Sequence, residues 1–181
     1  MACIKCKKTK NEHIKHLGGS LCPSCFSKII EKRVRKSLRE NNWIKPKDSV
    51  IAIDNETIKA KTGIHILKTI FKNTPLKINI KKGNIPLPSK TVKKRSKIVI
   101  PWTADDEIEQ FLDALFNNQK ISKNKYIKLL INISDEELQL YAKANKIKGK
   151  KEKKSFLGKN LDELEKRYPG SKLGLLKSIQ A

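Results

Sequence analysis

Four cysteines fall within the first 25 residues as Cys3-x2-Cys6, fifteen intervening residues and Cys22-x2-Cys25, the spacing of a tetrahedral four-thiolate zinc site. Each Cys-x2-Cys pair can fold into a tight knuckle that points two sulfurs at one ion. Gly18-Gly19-Ser20 supplies the turn that returns the second pair to the first, with short β segments expected on either side. Zn2+ is the expected occupant, with disulfides or an iron centre as the alternatives. Four thiolates complete the tetrahedron, so the site is structural, contributing on the order of 10 kcal/mol of apparent folding free energy, and leaves no open position for catalysis. His13 and His16, between the pairs, read as surface polar residues.

A second pattern follows at once. Phe26 to Asn42 has helical spacing, with Phe26, Ile29, Ile30, Val34 and Leu38 on one face. Lys28, Lys32, Arg35 and Arg39 lie opposite at i, i+4, i+7 and i+11, with Lys36 beside them. That stripe is roughly 15 Å long and matches the spacing of successive phosphates; a solvated lysine face explains it equally well. Arg33 sits near the apolar edge, where it needs a carboxylate, another subunit or RNA as partner. Two further basic clusters, Lys93-Lys94-Arg95 and Lys150-Lys151, are candidate RNA contacts.

The elements that must position these residues belong to a chain of modest size. At 181 residues it is too short for a large multidomain enzyme, and 38% hydrophobic residues suffice for a core. Lys+Arg 41 against Asp+Glu 18 gives 41 − 18 = +23, which points to a polyanionic partner. No apolar run approaches the roughly 20 residues that span a bilayer, so no membrane association is expected. The first residues lack the pattern of a secretory signal, so the expected location is cytoplasmic and disulfides are disfavoured.

Beyond the basic helix, Ser49 to Ile53 reads as a buried strand, Ile58 to Lys72 as a helix and Leu76 to Ile80 as a second strand. A basic loop over residues 81–97 leads to a third strand, Ile98 to Ile100, which Pro101 is expected to end. Thr103 with Asp106 predicts a capped helix whose buried stripe is Ile108, Phe111, Leu112, Leu115 and Phe116. Tyr126 to Ile133 reads as extended, Ser134-x2-Glu137 as a capping box, Asn160 as the cap of a helix through Tyr168, and Ser171 to Ile179 as a last short helix. Strand and helix alternation argues for an α/β sheet. Asp105 and Asp106 are explained as helix-start carboxylates, and Trp102 as a burial site before a base-stacking one.

In order along the chain, the zinc knuckles, the basic helix and Asn42-Trp43-Ile44-Lys45-Pro46-Lys47-Asp48-Ser49-Val50-Ile51-Ala52-Ile53 resemble the opening of the tRNA 2-thiolation proteins of the PP-loop superfamily. Thr103-Ala104-Asp105-Asp106-Glu107-Ile108 and Leu161-Asp162-Glu163-Leu164-Glu165-Lys166-Arg167-Tyr168-Pro169-Gly170-Ser171-Lys172 are similar to two later segments of the same family. The resemblance implies an N-terminal four-cysteine zinc ribbon (residues 1–27), a basic connecting helix and linker (28–48), and a reduced, degenerate PP-loop (Rossmann-like) α/β domain with a helical C-terminus (49–181).

Two departures decide what kind of member it resembles. Catalytic relatives carry a Ser-Gly-Gly-x-Asp-Ser loop whose backbone amides receive ATP phosphates. Here the strand runs into Asp54-Asn55-Glu56-Thr57, with no glycine pair and two carboxylates that repel phosphate, so no ATP is expected as cofactor. Catalytic relatives also use cysteines inside the PP-loop domain, and this chain has none after Cys25. It therefore resembles the cytoplasmic tRNA 2-thiolation protein 2 family, the non-catalytic subunit of the wobble-uridine thiolase. That implies a pseudoenzyme that binds tRNA and pairs with a catalytic PP-loop thiolase, which itself receives sulfur from a ubiquitin-like carrier. The alternative is an unrelated zinc-ribbon RNA- or DNA-binding accessory protein.

Overall fold

The computed structural model describes residues 2–9, 14–16, 19–83, 96–120 and 126–180. A two-stranded antiparallel ribbon, β1 (Ile14–His16) and β2 (Gly19–Leu21), precedes the long helix α1 (Pro23–Glu40). The elements β3 (Ser49–Asp54), α2 (Ile58–Ile70), β4 (Lys77–Lys82), β5 (Ser96–Thr103), α3 (Ala104–Phe116) and β6 (Ile127–Leu130) then build a parallel sheet of order β4-β3-β5-β6. Three helices close the chain: α4 (Asp135–Ala144), α5 (Phe156–Arg167) and α6 (Ser171–Gln180). The expected α/β architecture with a four-cysteine N-terminus and a helical C-terminus is present.

Local chemistry explains most boundaries. Thr103 and Ser134 each accept the N3 amide of their helix while Asp106 and Glu137 return a carboxylate to the cap amide, so both expected capping boxes are formed. Pro23 opens α1 one residue after Cys22, where its missing N–H costs nothing, so the helix begins earlier than its apolar periodicity indicates.

The apolar face of α1 (Phe26, Ile30, Val34, Leu38) packs in one continuous cluster with Cys3 and Cys22, with Val50 and Ala52 of β3, and with Leu138 and Tyr141 of α4. Arg33 finds the carboxylate it needs: its Nη1 lies 2.8 Å from Glu137 and also reaches the Asn132 carbonyl. The basic helix is thereby clamped onto the start of α4.

Three expectations are corrected. Pro101 does not end β5, which continues to Thr103. Pairing with β3 stops at Val99, and pairing with β6 slips between Ile100 and Thr103, so the missing proline N–H falls where the ladder is already irregular. Leu115 and Phe116 are exposed, not buried: α3 packs on α5 and α6 through Ile108 and Leu112 against Leu161, Leu175, Leu176 and Ile179, and its last turn runs past them. Finally, α5 starts at Phe156 with Ser155 as its cap, whose hydroxyl accepts the Gly158 N–H, and Asn160 lies inside the helix. No described helix is long and apolar enough to cross a membrane.

Candidate metal centre and switch-point crevice

Two places in this fold gather chemistry. At the N-terminal end of α1 the sulfurs of Cys3, Cys6, Cys22 and Cys25 all lie within 4.8 Å of one another, and Cys6 Sγ is 3.9 Å from Cys22 Sγ. A tetrahedron with metal–sulfur bonds of about 2.3 Å has edges of about 3.8 Å, so the donor set fits one four-coordinate ion. The backbone supports this. Amide hydrogen bonds from Cys22 and Cys6 bring the Cys3 thiol down to about 6, and the Cys25 amide lowers that of Cys22. Burial, then the neighbouring sulfurs, push Cys25 up to about 12. Four thiolates this close repel one another, and a bound cation removes that conflict. Cys22 caps α1 and Cys25 lies in its first turn, so the ion would anchor the helix that carries the basic stripe.

Along that helix Lys28, Lys32, Arg35, Lys36 and Arg39 are all exposed. Lys36 pairs with Glu40 at 3.5 Å, whereas Lys28, Lys32, Arg35 and Arg39 pair with no carboxylate among the described residues. Lys93, Lys94, Arg95 and His13 lie outside the described residues, and of His16 only the backbone, in β1, is described.

The second place is the crevice where the strand order reverses, between the C-terminal ends of β3 and β5, which is where open α/β sheets bind ligands. The N-termini of α2 and α3 meet here. Lys59, in the first turn of α2, lies 2.7 Å from Asp106 and 3.0 Å from Asp135. Burial opposes the lysine charge, but these carboxylates outweigh it and hold the Lys59 pKa above the ordinary range. Burial, with Asp105 nearby, pushes Asp135 up. Asp105 is itself buried, accepts the Asp135 amide at 2.7 Å and pairs with Lys172 of α6, so it does more than start its helix.

Residues 148–155 cross this crevice as a strap. The Ile58 amide, first in α2, donates to the Lys150 carbonyl at 3.0 Å, and the Lys150 amide donates to the Glu56 carbonyl at 2.9 Å. The Lys150 ammonium lies 2.6 Å from the Glu56 carboxylate, so of the two strap lysines expected at RNA only Lys151 is unpaired among the described residues. Gly149 is required by the contact: a Cβ there would fall 2.8 Å from the Ile58 nitrogen. Glu56 has φ 65°, a left-handed conformation that glycine adopts without strain. Thr57 occupies the third amide of α2 with its hydroxyl. The space left beside the strap is a cavity of about 210 Å3 bordered by Lys59, Asp135 and Lys151, below the roughly 300 Å3 at which drug-sized ligand pockets begin.

Lys59, Asp135, Asp105 and Lys172 were not legible as a group, because they come from four separate helices. Trp102 is half-buried, donates to Glu107 at 2.7 Å and lies under the Lys128 ammonium, so internal contacts account for it.

A scan against protein-family profiles and a search of curated proteins return no match. Among solved structures, the chain is similar to the U34-tRNA thiolase NcsA from Methanococcus maripaludis with its 4Fe-4S cluster, at 18% identity and a TM-score of 0.75, over 99% of this chain and 86% of that one. The chain thus shares the fold of that structure, a Rossmann-like α/β domain behind a four-cysteine N-terminus.

Proposed function

We propose that this chain is a non-catalytic, tRNA-binding subunit that supports 2-thiolation of the wobble uridine beside a catalytic PP-loop thiolase in the cytoplasm. The observation that carries the reading is the state of the crevice within a thiolase-like fold. The first and third amides of α2, which a phosphate would use, are taken by the Lys150 carbonyl and the Thr57 hydroxyl. The carboxylates of Asp54 and Glu56 stand beside them, the former accepting the Glu56 amide at 2.8 Å. No cysteine lies in the crevice, since all four are drawn together beside α1. The partner supplies ATP chemistry and receives the sulfur from its carrier.

We assign Zn2+ to the four cysteines. Sulfurs within 4.8 Å of one another suit a single ion, whereas a cluster of several irons stands between its thiolates and holds them farther apart. When bound, the ion supplies structural cross-linking and no open coordination position. Lys28, Lys32, Arg35 and Arg39 then form the polyanion face.

The test uses the purified chain. It should bind tRNA with a log–log salt slope no shallower than about −3, the least that four phosphate contacts give, and show no ATP–pyrophosphate exchange with tRNA present. Exchange activity by the isolated chain would overturn the non-catalytic reading. Binding that is indifferent to salt would overturn the role of α1.

A further inference from the structure

The first residue of α5, directly after the strap, carries an aromatic ring that neither the fold nor the reading above accounts for. Phe156 is 78% exposed, the most exposed large apolar side chain among the described residues. Its mount is rigid. Ser155 caps α5 through the Gly158 amide and donates to Glu109, while Lys154, on the strap, pairs with Asp162 on α5. These contacts hold the first turn of α5 against α3 and the strap.

Cations without partners flank it in the chain. Lys151 and Lys153 on the strap and Lys159, one turn along α5, are exposed and pair with no carboxylate among the described residues. A flat ring with free ammonium groups beside it suits an unpaired nucleobase and its flanking phosphates, because every base offers a π face and every phosphate a charge. An apolar protein surface would have to desolvate those three lysines without compensation. Phe116 offers a contrast within the same molecule. It is 69% exposed, but α3 carries five acidic residues and no basic one.

We propose that Phe156 is a stacking platform for one unpaired base of a bound RNA, with Lys151, Lys153 and Lys159 receiving the adjacent phosphates. The proposal rests on the RNA-binding reading and adds to it a site for single-stranded nucleotide at the rim of the crevice, distinct from the stripe on α1.

The experiment compares the full chain and its variants on an RNA hairpin with an unpaired loop and on a blunt duplex of the same stem, by fluorescence anisotropy over a range of salt. Phe156→Ala should weaken hairpin binding about tenfold, leave the salt slope and duplex binding unchanged, and melt as the wild type does. Phe156→Trp should keep hairpin affinity, and its added fluorescence should be quenched by the hairpin. Lys151→Ala with Lys153→Ala should lower the slope by about 1.4. Phe116→Ala should change nothing. A Phe156→Ala variant that binds the hairpin like the wild type, while α1 variants still lose affinity, overturns the platform alone. A wild-type chain that binds neither RNA overturns the RNA-binding reading and the platform with it.

Discussion

Gly149 is the position where the strap can be tested by one methyl group. An alanine Cβ would meet the backbone of Thr57 and Ile58 at 2.8 to 3.0 Å, and backbone cannot swing aside as a side-chain tip can. The strap must lift, losing the Ile58 to Lys150 and Lys150 to Glu56 hydrogen bonds, each worth about 1 kcal/mol net. Alanine also restricts the unfolded chain, which returns about 0.5 kcal/mol. The net loss is about 1.5 kcal/mol, and at this chain length each kcal/mol moves the melting temperature by about 2–4 °C. Gly149→Ala should therefore melt about 3–6 °C lower. Gly174→Ala is the matched control: it lies inside α6 with nothing within 4 Å of its Cβ position, so it should gain about 0.5–1 kcal/mol from helix propensity. Calorimetry gives both shifts, and amide exchange at Ile58 and Lys150 locates the change. A Gly149→Ala protein as stable as the wild type, with those amides equally protected, would refute the strap's tight seating.

Lys59→Met leaves Asp106 and Asp135 without their shared cation and should cost about 3 kcal/mol in urea unfolding near neutral pH. The sign with pH is fixed: the raised Lys59 pKa keeps the lysine charged through neutral pH, so its contribution is lost on the basic side only in strong alkali, whereas in the variant the orphaned Asp135 carboxyl, pushed up by burial, can protonate and relieve the loss, so the deficit should shrink as the pH is lowered into the acid range. Cys6→Ser removes one of the four sulfurs and should lower metal content measured by mass spectrometry, with the largest loss of amide protection in the first turns of α1. Ile108→Ala, fully buried beneath α5 and α6, should cost about 2–5 kcal/mol, whereas Phe116→Ser on the exposed last turn of α3 should change stability by less than about 0.5 kcal/mol.

What could be read ahead of the structure was what neighbouring residues decide. The cysteine knuckles, the two capping boxes and the amphipathic face of α1 each depend on residues a few positions apart, and all three are present as expected. Arg33 is legible for a related reason: a guanidinium at the edge of an apolar stripe must be paired, although only the fold names Glu137, 104 residues away, as the partner. The failures are tertiary. The apolar periodicity of α3 runs through Leu115 and Phe116, and only the lengths of α5 and α6 determine that the last turn stays bare. Pro101 reads as a strand breaker until the pairing slip that accommodates it is seen. The Lys59 network joins α2, α3, α4 and α6, and no spacing rule connects them. Phe156 has a visible signal, an aromatic directly after Lys153-Lys154-Ser155, but a helix start at Asn160 leaves it in the preceding loop.

The proposed role as the non-catalytic half of a tRNA thiolase is tested most directly by affinity purification of the tagged protein from its native cells. Proteins and RNA that accompany it are identified by mass spectrometry and sequencing. Recovery of a catalytic PP-loop thiolase together with tRNAs carrying a modifiable wobble uridine is the predicted result. Recovery of ribosomal or transcription components without such an enzyme would contradict it and leave the four-cysteine module and the basic surface as parts of a different RNA-binding protein.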